Sequence, residues 1–168
     1  LSRSMAEQLR AIPGVGYVWG ATGLTNTPAS SPQKEVEHVV LGSYDDFMME
    51  KSRDLVVAGR MADQAASNNE VMTIYNKNNP LKVGDTVYIS GRDLTIVGAF
   101  SEGMFPDDVT VICPQALFDR LVRAQNYNMI GVLLNDSATE QTVMQIAHLA
   151  TDEIIVSDVR ERNSQEAA

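Results

Sequence analysis

Cysteine, histidine and basic side chains are all scarce in this chain, and each shortage closes off a class of function. One cysteine among 168 residues, Cys113, excludes an intrachain disulfide. It lies in the apolar run VTVICPQ, which reads as a buried, inert thiol rather than a nucleophile. The two histidines, His38 and His148, are far apart, and neither His-x-x-x-His nor Cys-x-x-Cys spacing occurs, so no metal site is expected. No Gly-Lys-Ser/Thr loop is present, which removes the usual mode of ATP binding. No apolar run approaches eighteen residues, so no helix is expected to span a bilayer. Thirteen bases against 22 acids leave a net charge of -9 and a pI near 4.6. Such a surface repels phosphate backbones and anionic lipid head groups, and nucleic acid is not expected as a partner. The opening residues LSRSMAEQLR have neither an initiator Met nor the basic start and apolar stretch of a signal peptide, and read as part of an excised piece of something longer.

What is present describes an ordinary folded protein. An apolar share of 44% and a mean hydropathy of -0.13 are typical of globular chains, and the length suits one domain or two small lobes. The most informative stretch is Leu81–Phe100, LKVGDTVYISGRDLTIVGAF. Its β-formers fall in two short runs. Gly84-Asp85 introduces the first, and Ser90-Gly91-Arg92-Asp93 separates it from the second, as in a tight hairpin.

Around this hairpin the pattern alternates between strands and short helices. A helix over Ser4–Ala11 ends at Pro13-Gly14, and a strand follows over Val15–Thr22, then a loop over Leu24–Lys34. Further strands are expected at Glu35–Leu41, Glu70–Tyr75 and Val109–Ile112, and a strand or turn at Leu55–Arg60. A short helix is expected at Tyr44–Arg53 and an amphipathic one at Gln115–Gln125, with Leu117, Phe118, Leu121 and Val122 on one face. The last third predicts a βαβ unit: a strand over Asn128–Leu134, a helix over Thr139–Ala150 and a strand over Glu153–Val156. Ser137 and Glu140 form a candidate capping box for that helix, and Val143, Ile146, Ala147 and Leu149 are expected to face inward. The N-terminal helix and strand echo the same order and lack only a strand ahead of the helix. A strand before Leu1 would complete a split, ferredoxin-like pair. The fold class expected is α+β.

No motif rises to chemistry. Gly14-Val15-Gly16-Tyr17-Val18-Trp19-Gly20 brushes against the dinucleotide fingerprint, but it follows a helix and opens a strand, the reverse of what pyrophosphate binding needs. Ser90 sits in a hairpin and Ser101 before an acidic loop, and neither fits a nucleophile elbow. The acid pairs Asp45-Asp46, Asp107-Asp108 and Asp152-Glu153 lack the ligand density of a calcium loop and read as solvated turns or helix starts. Asn135-Asp136-Ser137 matches a glycosylation sequon, a weak three-residue pattern. No catalytic, cofactor or metal residue is therefore assigned. Two apolar spots could serve recognition. Met104 and Phe105 sit at the middle of the loop SEGMFPDD, where they either pack beneath the hairpin or touch a partner, and Phe47-Met48-Met49 poses the same choice.

Several of these pieces, in this order, resemble the MacB-like periplasmic core domain carried by FtsX-type permease subunits of ABC transporters. The resemblance rests on Gly59-Arg60, Asn69-Glu70-Val71, Leu81-Lys82-Val83-Gly84-Asp85, Gly91 and Val97-Gly98. It is supported at the flanks by Ile12-Pro13-Gly14-Val15 and by Val156-Ser157-Asp158-Val159-Arg160. It implies an insert on the outer face of the membrane between two transmembrane helices of a parent permease. The implied fold is a discontinuous porter-like βαβ lobe, 1–58 with 109–168, and a smaller hairpin-bearing mixed lobe at 59–108. No catalytic residues or cofactors carry over. The implied partners are an ABC ATPase in the cytoplasm, a second permease copy or paralogue, and an exported substrate or envelope protein. Two other readings stay open from the residues alone: a stand-alone peptide-binding sensor, and a small soluble hydrolase with carboxylates in a cleft.

Overall fold

Ser90 and Gly91 both adopt positive φ, 49° and 80°, the mark of a type I′ turn. In the computed structural model, which describes residues 2–102, 110–123, 126–149 and the backbone of 154–158, this turn joins β5 (Thr86–Ile89) to β6 (Arg92–Ser101). The loop is two residues long rather than the four expected, because Arg92 and Asp93 already pair with Ile89 and Tyr88.

The hairpin belongs to a compact unit made of residues 23–124. Its sheet runs β3 (Val56–Gly59), β6, β4 (Glu70–Tyr75), β7 (Thr110–Pro114), β2 (His38–Tyr44), with β5 beside β6. β4 pairs parallel with β6 and antiparallel with β7, and β7 pairs parallel with β2. All five residues of β7 are buried, as a central strand with both faces covered requires. Val111 and Cys113 pack on one side with Val71, Leu94, Ile96, Leu117 and Phe118, and Ile112 packs on the other with Met49, Met72, Ile74 and Phe100. Ile96 and Phe100 have the same parity along β6 yet serve opposite faces. A bulge explains this: Val71 faces Ile96 and Met72 faces Gly98, so one extra residue of β6 inverts the alternation. The two short helices are α2 (Asp46–Lys51) and α3 (Gln115–Leu121). Asp45 caps α2 by accepting from Met48 N–H at 2.9 Å. Met49 is buried, as are Leu117, Phe118 and Leu121 of the expected face of α3; the helix stops at Leu121 rather than Gln125, so Val122, expected on that face, is an extended C-cap and only partly buried.

The second unit comprises residues 1–22 and 125–168. Here α1 (Arg3–Arg10) and α4 (Glu140–Leu149) cover a core of Leu9, Val18, Ile130, Val132 and Ile146. β8 (Met129–Leu134) pairs antiparallel with β1 (Val15–Pro28) and parallel with β9 (Ile154–Asp158), which realises the expected βαβ order.

The fold class is α+β, as expected, but several details differ. By contacts, residues 23–124 form one unit and residues 1–22 with 125–168 the other, and within the first β2 reaches β4 through β7. β1 continues to Pro28 where a loop was expected from Leu24; the segment TGLTNTP is polar, but its threonines are β-branched. In α4 only Thr142 and Ile146 are buried. Val143 and Ala147 are exposed, and Leu149 packs partly against the core. The cap of α4 is Thr139 rather than Ser137: Thr142 N–H donates to Thr139 Oγ1 at 3.4 Å, and Thr139 N–H to Thr142 Oγ1 at 3.0 Å. This is a capping box with threonine in place of glutamate. Ser137 instead donates through its N–H and hydroxyl to Asn135 Oδ1 in an Asx turn.

Candidate functional site

The short pieces that carry the family resemblance are far apart in sequence, and the fold brings them to one joint in the unit of residues 23–124. Arg60 grips Glu70 with both guanidinium nitrogens, Nη1 to Oε1 at 2.7 Å, and Glu70 Oε1 also accepts from Asp63 N–H at 2.9 Å. These donors hold the Glu70 carboxyl below its ordinary value, the Arg60 hydrogen bond contributing most and partial burial opposing it. Arg60 N–H donates to Val97 O at 2.9 Å, so the chain leaving β3 is bound to the bulge of β6. The approach is tight. A Cβ on Gly98 would stand 2.0 Å from Arg60 O, and one on Gly59, whose φ is +65°, would stand 2.1 Å from Val97 O. Neither position accepts a side chain without moving the backbone.

The neighbouring pieces extend the joint. Asn69 turns the chain at φ 52°, accepts from Thr95 N–H at 2.9 Å through its carbonyl, and takes Arg92 Nη1 on its Oδ1 at 3.1 Å. Gly84 N–H donates to Ile96 O at 2.8 Å, and Ile96 N–H to Asp85 O at 2.9 Å, which anchors the entry of the hairpin on β6. Asp85 closes its own turn by accepting from Lys82 N–H at 2.9 Å, and Lys34 Nζ lies 3.6 Å from the same oxygen. Buried Asn79 ties the loop before the hairpin to β4, donating to Thr73 Oγ1 at 2.8 Å and Ile74 O at 2.9 Å while accepting from Leu81 N–H at 3.1 Å. Thr73 Oγ1 in turn donates to Thr110 O at 2.8 Å. Most of these side chains hold backbone, and the rest pair with one another, so the joint sets geometry.

The other candidates fall out as follows. Cys113 is fully buried, and burial pushes its thiol well above the ordinary value, so no thiolate is available. Burial also pushes the Tyr44 hydroxyl up to about 12. Residues 15–20 run as β1, so the near-fingerprint glycines have no helix N-terminus to offer an anion. Among the described residues no group of three or more His, Cys, Asp or Glu could hold a metal ion. Met49 is core, and Phe47 lies under Lys51 at 5.6 Å from ring centroid to Nζ. Met104 and Phe105 lie outside the described residues.

Two surface features were not singled out by sequence reasoning. One is a cleft of about 220 Å³ in the unit of residues 23–124, with Ala58, Ala99 and Thr73 among its lining and Tyr75, Lys82 and Val83 alongside. The other is a shallow apolar hollow of about 470 Å³ beside α4, lined by Ile12, Met144, His148 and Leu149 among others. The only advance signal of either was apolar side chains on the wrong side of an amphipathic pattern, Tyr75 ending β4 and Met144 on the outer face of α4.

A profile of the MacB-like periplasmic core domain matches residues 1–149. The chain belongs to this family. No curated protein matches it. Solved structures with the same fold include the periplasmic region of MacB from Actinobacillus actinomycetemcomitans, 16% identical, with a TM-score of 0.64 over 89% of this chain and 72% of that one. The extracellular domain of the ABC-type transporter YknZ from Gram-positive bacteria is 11% identical, with a TM-score of 0.61 over 87% and 78%. A domain titled as a permease protein from Porphyromonas gingivalis is 14% identical, with a TM-score of 0.54 over 88% and 76%. At such identities the structural likeness concerns the fold, whereas the profile establishes the family. As a MacB-like periplasmic core domain the chain is of the kind found outside the membrane in ABC transporter permeases, and among the described residues no helix is long and apolar enough to cross a membrane.

Proposed function

We propose that this MacB-like domain works as a non-catalytic relay on the outer face of the membrane, in a permease subunit whose ATPase is a separate cytoplasmic domain or subunit. ATP-driven movement of the transmembrane helices would carry the domain with it, toward substrate export, lipoprotein release or activation of an envelope protein. A second copy of the permease, or a paralogue, would face it across the transporter. The observation that carries the reading is the family match together with the use of the signature residues: Arg60, Glu70, Asn69, Asp85 and Gly98 are all committed to holding strands together. A relay needs parts that transmit displacement without deforming, and a sheet tied by these contacts and by the buried Asn79 and Thr73 hydrogen bonds supplies that.

The test uses the whole permease with its ATPase in nanodiscs. Spin labels at Lys77→Cys and Glu37→Cys, both exposed and both in the unit of residues 23–124, report distance within the unit, and a single Lys77→Cys reports distance between copies. Switching from the nucleotide-free to the ATP-trapped state is expected to change the distance between copies and leave the distance within the unit unchanged. A distance between copies that ignores nucleotide would overturn the relay.

A further inference from the structure

β3 lies at one end of the strand order in its unit, and among the described residues nothing pairs with its outer edge. It is four residues long, and Val57, half-way along it, is 55% exposed. Just inside this edge lies the cleft described above. Its floor is a cross-strand row on one face of the sheet: Ala58 pairs with Ala99, and Ala99 pairs with Thr73. Small side chains on three successive strands leave a trough that opens toward β3. Tyr75, 59% exposed, and Val83, 40% exposed, line it, and Lys82 Nζ stands over the Tyr75 ring at 5.9 Å from the centroid. Lys82 is held only by the Asn76 carbonyl at 3.5 Å and this ring, and among the described residues no carboxylate pairs with it, although acids outnumber bases in the chain.

We propose that this edge binds an extended polypeptide segment of a partner, added to the sheet beside β3, with one apolar side chain in the trough and an acidic residue next to Lys82. The chemistry of the edge selects the occupant. β3 is bulged at Val57, between the Val56–Phe100 and Ala58–Ala99 pairs, so the occupant adds along a short stretch, and an extended backbone is the ligand that satisfies the groups an edge strand leaves outward. The residue that comes to lie opposite Ala58 presents its side chain on the same face as Ala58, which is the face of the trough. Lys82 supplies charge complementarity at the rim, where its ammonium lies over the Tyr75 ring. The inference does not depend on the relay reading, since it concerns a surface of one unit alone.

The probes are synthetic N-acetylated heptapeptides of alternating Val and Thr with one central Asp, and the same peptides with Lys in place of Asp. They are titrated into the isotope-labelled full chain and followed by amide chemical shifts. Saturable shifts at Val56–Gly59, Tyr75 and Val83 are expected for the Asp peptide, with at least about tenfold weaker binding of the Lys peptide, one charge reversal at a partly desolvated rim. Val57→Pro, which removes a backbone N–H at the bulge of the edge strand, is expected to abolish those shifts. Lys82→Glu, a rim change that leaves the sheet intact, is expected to reverse the preference between the two peptides and covers the case in which the proline variant fails to fold. Four outcomes overturn the proposal: no saturable shift with either peptide, shifts confined to α4, equal binding of both peptides, or self-association that protects β3 and identifies a second copy as the occupant.

Discussion

Glu70 accepts hydrogen bonds from the Arg60 guanidinium and from Asp63 N–H, and its side chain is only 16% exposed while that of Arg60 is 60% exposed. A carboxyl whose folded pKa is lowered adds stability that is present above its unfolded pKa and is lost as pH falls through the folded one. The joint is therefore expected to weaken in acid. The urea midpoint of the native chain should fall more steeply between about pH 6 and about pH 3 than that of Glu70→Gln. At neutral pH the glutamine variant should be less stable by about 0.5–1 kcal/mol, the scale of a solvent-screened ion pair with good geometry. Parallel curves for the two proteins would show that Glu70 takes no part in the acid response. At the same scale, Gly59 and Gly98 were legible as family signature residues, but the reason they are glycine was not. It lies in the crossing of two backbones distant in sequence, which no local pattern records.

At the scale of elements, strong local signals matched and shared ones did not. Glu70–Tyr75 is a strand with the bounds expected, and α3 buries the face its periodicity marks, because apolar spacing and burial agree there. The start of α4 was misplaced because Ser137 and Thr139 are both cap formers, and the choice turns on tertiary context. Thr142 Oγ1 donates to Pro13 O at 2.9 Å, which fixes Thr142 at the third helical position and so makes Thr139 the cap. Thr139→Ala should accordingly cost about 1 kcal/mol in thermal or urea denaturation, whereas Ser137→Ala should change stability by no more than a few tenths. Equal losses at both positions would contradict this assignment. The inward face of α4 was also misjudged: only Ile146 among the expected apolar residues is fully buried, and Met144 is 70% exposed.

For the whole molecule, the lone cysteine becomes a reporter. Cys113 sits on the central strand of the unit of residues 23–124 with both faces of the sheet covered, and desolvation keeps it protonated. Reaching it requires opening that sheet rather than fraying an edge. Iodoacetamide labelling of the native chain should thus be negligible over hours and should rise in urea with the midpoint of the circular-dichroism transition. Rapid labelling without denaturant would mean that β7 opens on its own. Strand pairing at this scale was only partly readable. The hairpin and the βαβ order are local enough to show in the chain, but β2 joins the hairpin-bearing unit through a parallel pairing with β7 across a long stretch of sequence, and such partners are not marked by composition.

Taken alone, the residues determined an α+β fold, an acidic net charge, the positions of most strands and the family to which the chain belongs, because each of these depends on local spacing, turn chemistry or total charge. The tertiary structure decided the rest. It converted the scattered signature into a joint between β3, β4 and β6, inverted the faces of β6 at a one-residue bulge, and left the edge of β3 beside a trough. Those outcomes depend on which distant strands become neighbours, a matter settled by the packing of two sheet faces at once rather than by any segment on its own.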